Sequence, residues 1–431
     1  MNLEERRITS DSVPLTTLER AYELLGPWVF RAAHRWEYMT GSSSEDLKSR
    51  KGLVPAAGDA AVWFHGASAG EISAATALDE MLHERGFRFS AVYTAANRAG
   101  LEYLHKSTPG GVIAGLATWD TRETLSRTFA RWRPRMLFLV ETELWPRLIY
   151  EAWIRDIPVF SVSARIYARD IRRYRAIKPF FIPTLRRLTR IIAQDDIERE
   201  HFQAIGAPEN SCFNGGNLKY LNAPHGPGLD TIAGELGIRP GEPLIVAGSL
   251  HRDEIRTVMM ALRRLKTPGL RIIIAPRQLS SAAFVAAEGL RLGWRVRRRS
   301  DPGSGDWELL VADSMGELKR FYAIATCAIV GGGFGRHGGH NPFEPVIAGT
   351  PVVFGPHFEN FQVEARALAA ATPEARIDSM DHIEQLLTHW LDDDSYRNEA
   401  LARQRGAVPD GKAIADRYLE ALDPWLSAIR A

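Results

Sequence analysis

Four short runs of the chain combine residue types and spacings that could do chemistry. The first is Gly66-Ala67-Ser68-Ala69-Gly70-Glu71, which follows the β-rich run from Ala61 to His65 and opens an amphipathic stretch. Its Gly-x-Ser-x-Gly spacing is that of a nucleophile elbow, in which a serine is presented at a strand-to-helix turn. The same residues admit another reading: the glycines make a tight turn with free amides, and Glu71 projects from it as a general base. Glu71 would also suit the plain role of complementing the dipole of its helix. The second run, Glu141-Thr142-Glu143-Leu144-Trp145-Pro146, places two carboxylates directly after the apolar run Met136 to Val140. In extended backbone, alternate side chains point to opposite sides. One of Glu141 and Glu143 should then face a ligand while the other holds the loop, and spacing does not say which.

The third run, residues 165–190, carries nine Lys or Arg against the single acid Asp170. Such charge is not neutralised locally and would attract a polyanion such as phosphorylated lipid, an anionic membrane or RNA. Its aromatics, Tyr167, Tyr174, Phe180 and Phe181, suit lipid contact and base stacking equally; the plain alternative is a solvated basic helix. The fourth set lies in the second half, where β-rich runs lead into Ser249 and His251, into Arg277, into Met315, Gly316 and Glu317, and into a glycine-rich passage from Gly331. Six glycines among the nine residues Gly331 to Gly339 make a backbone able to approach a phosphate closely. Asn341-Pro342 fits a helix start, and Glu344 has the reach to accept ribose hydroxyls. His337 and His340 could be a metal pair, but no third ligand lies nearby and no metal is expected.

These runs need elements to position them. From Ala61, short β-rich runs alternate with longer helical ones, and after a Gly/Pro-rich passage from Gly206 to Pro243 the alternation begins again. Strands alternating with helices imply parallel sheets covered on both faces. One open sheet of this many strands would be unusual, so two Rossmann-like doubly wound units are expected, meeting at a crevice where the carboxyl ends of both sheets lie. A length of 431 residues agrees with two or three domains. With 45% apolar and 25% charged residues the chain should fold as an ordinary globular protein, and a net charge of +2 offers no global field for nucleic acid. Cys212 and Cys327 stand far apart, which excludes the common zinc motifs and a disulfide framework. No run approaches the ~18 apolar residues of a spanning helix, and the first residues lack a signal-peptide core. Residues 12–38 read as an amphipathic arm interrupted near Gly26 and Pro27, with Leu18, Tyr22, Leu25, Val29 and Phe30 clustering, and residues 41–52 read as a linker.

With these segments in place, the chain resembles the Kdo transferases of lipopolysaccharide synthesis, which move 3-deoxy-D-manno-oct-2-ulosonic acid (Kdo) from CMP-Kdo to a lipid A precursor. The resemblance rests on HGASAGEISAA, ETELWPRLI, SARI, GNLKY, AGSLHRDE, APRQ, DSMGEL and GGHNPFEPVIAGTPVVFGPHFENF, in that order, over most of residues 45–405. It implies an inverting transferase of the GT-B fold, with two Rossmann-like doubly wound domains facing a central cleft. The expected divisions are an arm and linker at 1–44, an acceptor domain at 45–218, a CMP-sugar domain at 219–408 and a C-terminal helix at 409–431. By the resemblance, Glu71 is the general base, and Ser249, His251, Arg277, Met315, Gly316, Glu317, Asn341 and Glu344 surround CMP. Ser68, Gly70, Glu141 and Glu143 are assigned to the substrate side, and Arg165 and Lys219, on charge alone, to the Kdo carboxylate or an acceptor phosphate.

The implied partners are a CMP-sugar donor, a lipid A precursor or other anionic glycolipid acceptor, and an anionic membrane surface, without nucleic acid, metal or any cofactor beyond the donor CMP-Kdo. The expected location is cytoplasmic, peripheral on the inner membrane. Three departures from the family pattern bear on the acceptor: Gln278 stands where His is usual, Leu221 where Asp is usual, and the arm carries Glu19, Arg20, Glu23, Arg31, His34 and Arg35 where an apolar anchor is usual. The competing readings are a non-catalytic nucleotide-sugar or lipid-binding module, and a serine hydrolase built on Ser68.

Overall fold

In the computed structural model, which describes residues 15–39, 42–58, 61–108, 112–167, 170–221, 229–301 and 305–429, the alternating runs form two parallel sheets. The first holds β1 (Ala61–Gly66), β2 (Ser90–Ala95), β3 (Ile113–Leu116), β4 (Met136–Val140), β5 (Val159–Ala164), β6 (Arg190–Ala193) and β7 (Cys212–Asn214), in the order β3-β2-β1-β4-β5-β6-β7. The second holds β8 (Leu244–Leu250), β9 (Arg271–Pro276), β10 (Val296–Arg298), β11 (Leu309–Val311), β12 (Cys327–Val330) and β13 (Val352–Phe354), in the order β10-β11-β9-β8-β12-β13. β1 and β4 are buried along their whole length, as strands covered by helices on both faces must be. Trp63 meets Phe129 and Trp132 edge-on at 5.3 and 5.0 Å, while the next residue, Phe64, stacks on Tyr93 and Phe138 at 5.2 Å. Successive side chains of one strand thus fill opposite layers.

Each sheet reverses its strand order at one place, between β1 and β4 in the first and between β8 and β12 in the second. Doubly wound sheets bind ligands outside the carboxyl ends of the strands at such a point. β1 ends just before Ser68 and Glu71, and β4 just before Glu141. In the second sheet, β8 delivers Ser249 and leads to His251, and β12 runs into Gly331.

The chain divides into two compact units, residues 1–222 with 410–431, and residues 223–409. The helix Gly411–Leu426 therefore belongs to the first unit, a return that the sequence left open. Its Tyr418 hydroxyl accepts from Ser163 N at 2.8 Å and donates to Gly216 O at 3.1 Å.

Three expectations are corrected. The helix Thr17–Met39 runs unbroken through Gly26 and Pro27. The missing proline donor is offset by ion pairs of Glu19 with Arg187 and of Glu23 with Arg147, and by Tyr22 Oη donating to Asp120 Oδ2 at 2.8 Å. The apolar cluster expected on this arm splits: Phe30 stacks on Trp119 at 5.2 Å, whereas Leu18, Leu25 and Val29 face solvent together with Leu24 (74% exposed), Trp28 (70%) and Trp36 (66%). The supposed linker contains the helix Ser44–Arg50, started by a capping box between Ser43 and Asp46. β3, β7 and β10, three or four residues each, are strands that the apolar runs did not announce. Residues 1–14, Arg169 of the basic run and residues 222–228 of the Gly/Pro-rich passage lie outside the described residues.

Candidate active site

Ser68 is the N-cap of the helix Ala69–Glu84, with φ −112° in ordinary extended backbone. Its Oγ accepts from Glu71 N at 3.4 Å and donates to Glu71 Oε1 at 3.0 Å, while Glu71 Oε2 accepts from Ala67 N at 2.6 Å. Among the described residues Ser68 has Glu71 as its hydrogen-bond partner and no histidine to activate it, so this is a helix start and not a hydrolase elbow. Glu71 both caps its helix and is perturbed by its surroundings. Burial is the largest influence and raises its pKa, the anions of Glu141 and Glu143 add to this, and the bonds from Ala67 and Ser68 oppose it, leaving a value of about 7. A carboxyl half ionised near neutrality is matched to accepting a proton from a hydroxyl.

The two acids after β4 serve separate partners. Glu141, buried and held at φ +59°, receives Lys219 Nζ at 2.7 Å. Burial acts to lower the Lys219 pKa, but Glu141 outweighs it and the ammonium is held above its usual range. Gly70 leaves room beside this cation, since a Cβ there would lie 3.7 Å from Nζ. Glu143 Oε2 accepts from Trp145 Nε1 at 2.6 Å and lies 2.9 Å from His65 Nε2. Burial raises the Glu143 carboxyl, but the bonds from His65 and Trp145 outweigh it and hold it below the usual range.

The His65 ring is held from behind. Trp63 Nε1 donates to Thr94 Oγ1 at 2.8 Å, and that hydroxyl, fully buried, lies 2.8 Å from His65 Nδ1. Thr94 Oγ1 thus bridges the Trp63 and His65 rings, and His65 Nε2 faces the Glu143 carboxylate. Trp145 stood in the Glu141 run without a role of its own, but His65 and Thr94 were not singled out from the sequence. Their signal was a buried polar residue at the end of an otherwise apolar strand. Arg165 also joins this group: it lies over the Tyr167 ring at 4.4 Å and 3.8 Å from Glu198, and the charges of Glu141, Arg165, Lys219 and Glu71 all act on the Tyr167 hydroxyl. The basic run is not one patch, because Arg165 and Arg187 are buried in ion pairs while Arg172, Arg173 and Arg175 of the helix Ile171–Ala176 are exposed.

In the second unit Ser249 sits at φ +58° where the pairing of β8 and β9 slips by one residue. Beyond it, His251 stacks on His337 at 3.8 Å and places Nε2 2.9 Å from His340 Nε2, while His337 is held 2.9 Å from Asp253. Burial, Arg277 and the neighbouring rings lower His340 to about 4. Burial and His337 also lower His251. His337 thus bonds Asp253 while His340 bonds His251, and the described residues contain no cluster of three or more His, Cys, Asp or Glu able to hold a metal. Arg277 is exposed and makes no ion pair among the described residues.

The glycine-rich loop differs from expectation. Its amides at Gly332, Phe334 and Gly335 donate to Glu254 at 2.8, 2.9 and 2.8 Å, and Glu254 also takes His251 N at 2.8 Å. The anion that these amides cradle is a side chain of the protein itself. Asn341 Oδ1 accepts from Phe343 N at 3.0 Å and so starts the helix Phe343–Ala348, in whose first turn Glu344 lies. Glu317 is engaged by Arg299 and Ser314, whereas Met315 is 72% exposed and Gly316 (φ +85°) opens on free space. The structure therefore gathers Ser249, His251 and the glycine loop at one switch point, and ties the Glu317 carboxylate to Arg299.

Two Rossmann-like parallel-sheet units, each with chemistry-bearing side chains at its switch point, define the GT-B class. Solved structures of that architecture agree: a UDP-N-acetylglucosamine 2-epimerase described as putative, from Listeria monocytogenes, superposes with a TM-score of 0.59 at 13% identity over 85% of this chain and 96% of its own. A glycosyltransferase from Rickettsia africae gives a TM-score of 0.54 at 9% identity, over 86% of this chain and all (100%) of its own. Residues 44–222 match the family model described as 3-deoxy-D-manno-octulosonic-acid transferase. The chain is 32% identical to the 3-deoxy-D-manno-octulosonic acid transferase of Bordetella pertussis over 425 residues, 94% of this chain and 96% of the relative. It is 29% identical to that of Haemophilus influenzae over 378 residues, 85% of this chain and 87% of the relative. The chain belongs to the 3-deoxy-D-manno-octulosonic acid transferase family of glycosyltransferases.

Proposed function

We propose that the chain is an inverting transferase that moves Kdo from CMP-Kdo to a hydroxyl of a lipid A precursor or related anionic glycolipid. The observation that carries this reading is the Glu71 carboxyl, set at the switch point of the first sheet with a pKa of about 7 and with Lys219 and Arg165 in the same group of charges. The acceptor hydroxyl gives its proton to Glu71 as its oxygen bonds to C2 of the donor sugar. The bond from C2 to the phosphate oxygen breaks, and CMP leaves with the electron pair and one more negative charge. Attack from the face opposite the leaving group inverts C2. Arg277 is the cation suited to the leaving phosphate, Glu344 to the ribose, and Lys219 and Arg165 to the Kdo carboxylate or an acceptor phosphate. As written, the reaction consumes the CMP-sugar and the acceptor and uses no further cofactor.

The same reading sets the work at an anionic membrane surface, on the cytoplasmic face of the inner membrane, with peripheral attachment. It is supported by the outward apolar side chains of the helix Thr17–Met39 and by the exposed Arg172, Arg173 and Arg175. Tyr22 of the one helix meets Phe180 of the helix Lys178–Arg187 at 5.9 Å, which brings the apolar and basic features together. No described helix is long and apolar enough to cross a membrane.

The test is Glu71→Gln, assayed with CMP-Kdo and a panel of tetraacylated and other acceptors by mass analysis of products. CMP-Kdo binding is retained, and transfer falls by at least ~100-fold, the usual scale for loss of a general base. In the parent protein kcat/KM declines as pH falls through about 7, because the carboxyl must be ionised to act. Turnover unchanged in the variant removes Glu71 from the mechanism, and donor binding without transfer to any acceptor favours a non-catalytic module.

A further inference from the structure

The helix Thr17–Met39 covers a cavity of about 580 Å³ in the first unit, within the size range of ligand pockets. Tyr22, Pro27 and Phe30 of the helix and the Trp119 ring supply apolar wall. The cations Arg31, Lys51 and Arg122 also line it, are exposed, and form no ion pair among the described residues. Deeper in, Arg147 is 6% exposed and is met by Glu23 and Glu151, yet its Nε has no hydrogen-bond partner. His34 and Trp119 line the same cavity, and their Nδ1 and Nε1 atoms are likewise shielded and unpartnered. Buried polar atoms in folded proteins are nearly always bonded, and these three, each shielded within a side chain that lines the cavity, are exceptions. A second cavity of about 120 Å³ shares Phe30, Trp119 and Asp120 with the first as wall residues and is lined on another side by His65. The exposed cations, the apolar wall and the neighbouring smaller cavity match a phosphate joined to a hydrocarbon chain. The outer face of the same helix presents Leu25, Val29 and Trp36, the kind of surface that enters a bilayer.

We propose that this cavity binds one anionic phospholipid of the membrane, with its phosphate on Arg31, Lys51 and Arg122 and one acyl chain running beneath the helix toward His65. The phosphate site lies under the helix Thr17–Met39 and goes beyond the transferase reading.

A direct test uses the full chain and a lysophosphatidic acid carrying a diazirine at the end of its acyl chain, kept below its micelle concentration, with irradiation and peptide mass mapping. Saturable labelling is expected on the segments 22–34 and 119–127 and around His65. His34→Trp, which fills the cavity, lowers labelling by about fivefold or more. The exposed double substitution Lys51→Gln with Arg122→Gln does the same without disturbing the core, and excess inorganic phosphate leaves the labelling of the parent protein in place. The proposal is overturned by label confined to the outward residues Leu25, Val29 and Trp36, by labelling undiminished in the double variant, or by its loss to phosphate alone, which would make this a site for free phosphate. All of these readouts report binding, so a failure of Glu71 to support transfer leaves them intact, and their failure leaves the transfer assay intact.

Discussion

Glu71 is flanked by two acids held by different means, Glu141 by the Lys219 ammonium and Glu143 by the His65 and Trp145 rings. Both anions raise the Glu71 carboxyl, but removing Glu141 would also release a cation, so Glu143 is the cleaner handle. In Glu143→Gln one like charge is gone and the Glu71 pKa falls. Activity requires the ionised form, so the acidic limb of the kcat/KM profile moves to lower pH, read from rates across pH 5–8 by the ordinary analysis of such limbs. A limb that stays in place would show that the Glu143 charge does not reach the base. At this scale the sequence was informative where a motif follows a strand, as with Glu71 and the Glu141–Glu143 pair. It was silent about His65 and Thr94, whose importance comes from a hydrogen-bond chain between neighbouring strands. It was also silent about Glu254, whose partner amides lie about 80 residues further on.

The helix Thr17–Met39 is packed in reverse of the usual amphipathic arrangement. Acids on its inner side pair with buried arginines, and apart from Tyr22 and Phe30 its larger apolar side chains, such as Leu24, Leu25, Trp28 and Trp36, point to solvent. Periodicity alone could not reveal this, because the pattern of a helix is the same whichever face meets the protein. Substituting Leu25, Trp28 and Trp36 by Ser should leave the fold intact and lower binding to phosphatidylglycerol vesicles by at least about tenfold, since each apolar side chain contributes on the order of 1 kcal/mol or more on insertion. Reversing the charge at Arg172, Arg173 and Arg175 should weaken the same binding at low salt and make less difference at high salt. Sedimentation with vesicles checks both, and equal binding by all three proteins at low salt would leave the helix and the basic residues without a membrane role. The segment Ser44–Arg50 escaped notice for a related reason: serine and lysine resemble a linker by composition, whereas the capping box and the bonds of Arg50 to the carbonyls of Ala96 and Ala117 are tertiary facts.

Across the whole molecule, alternating strands and helices were legible because long apolar runs such as Met136 to Val140 have no other use than burial, and the doubling of the pattern announced two units. The edge strands β7 and β10 are too short to stand out against the polar residues around them. The return of the C-terminal helix to the first unit is carried by contacts between residues some 200 to 255 positions apart, such as Tyr418 with Gly216 and Ser163. Tyr418→Phe leaves Ser163 N buried without an acceptor, at a cost of about 1–3 kcal/mol. Denaturant unfolding followed by hydrogen exchange should show that loss in β5 and not in the second sheet; loss in both would mean that the two units unfold as one. Ser249 and Glu141 are non-glycine residues held in the left-handed region, each at the switch point of its own sheet. Backbone of that kind is kept at some expense in stability, and glycine would sit there without steric conflict. A directed-evolution campaign rewarding heat resistance alone would be drawn to these two codons, and its hardiest clones would be the ones that had given up the Lys219 counter-ion or the hydroxyl near the end of β8.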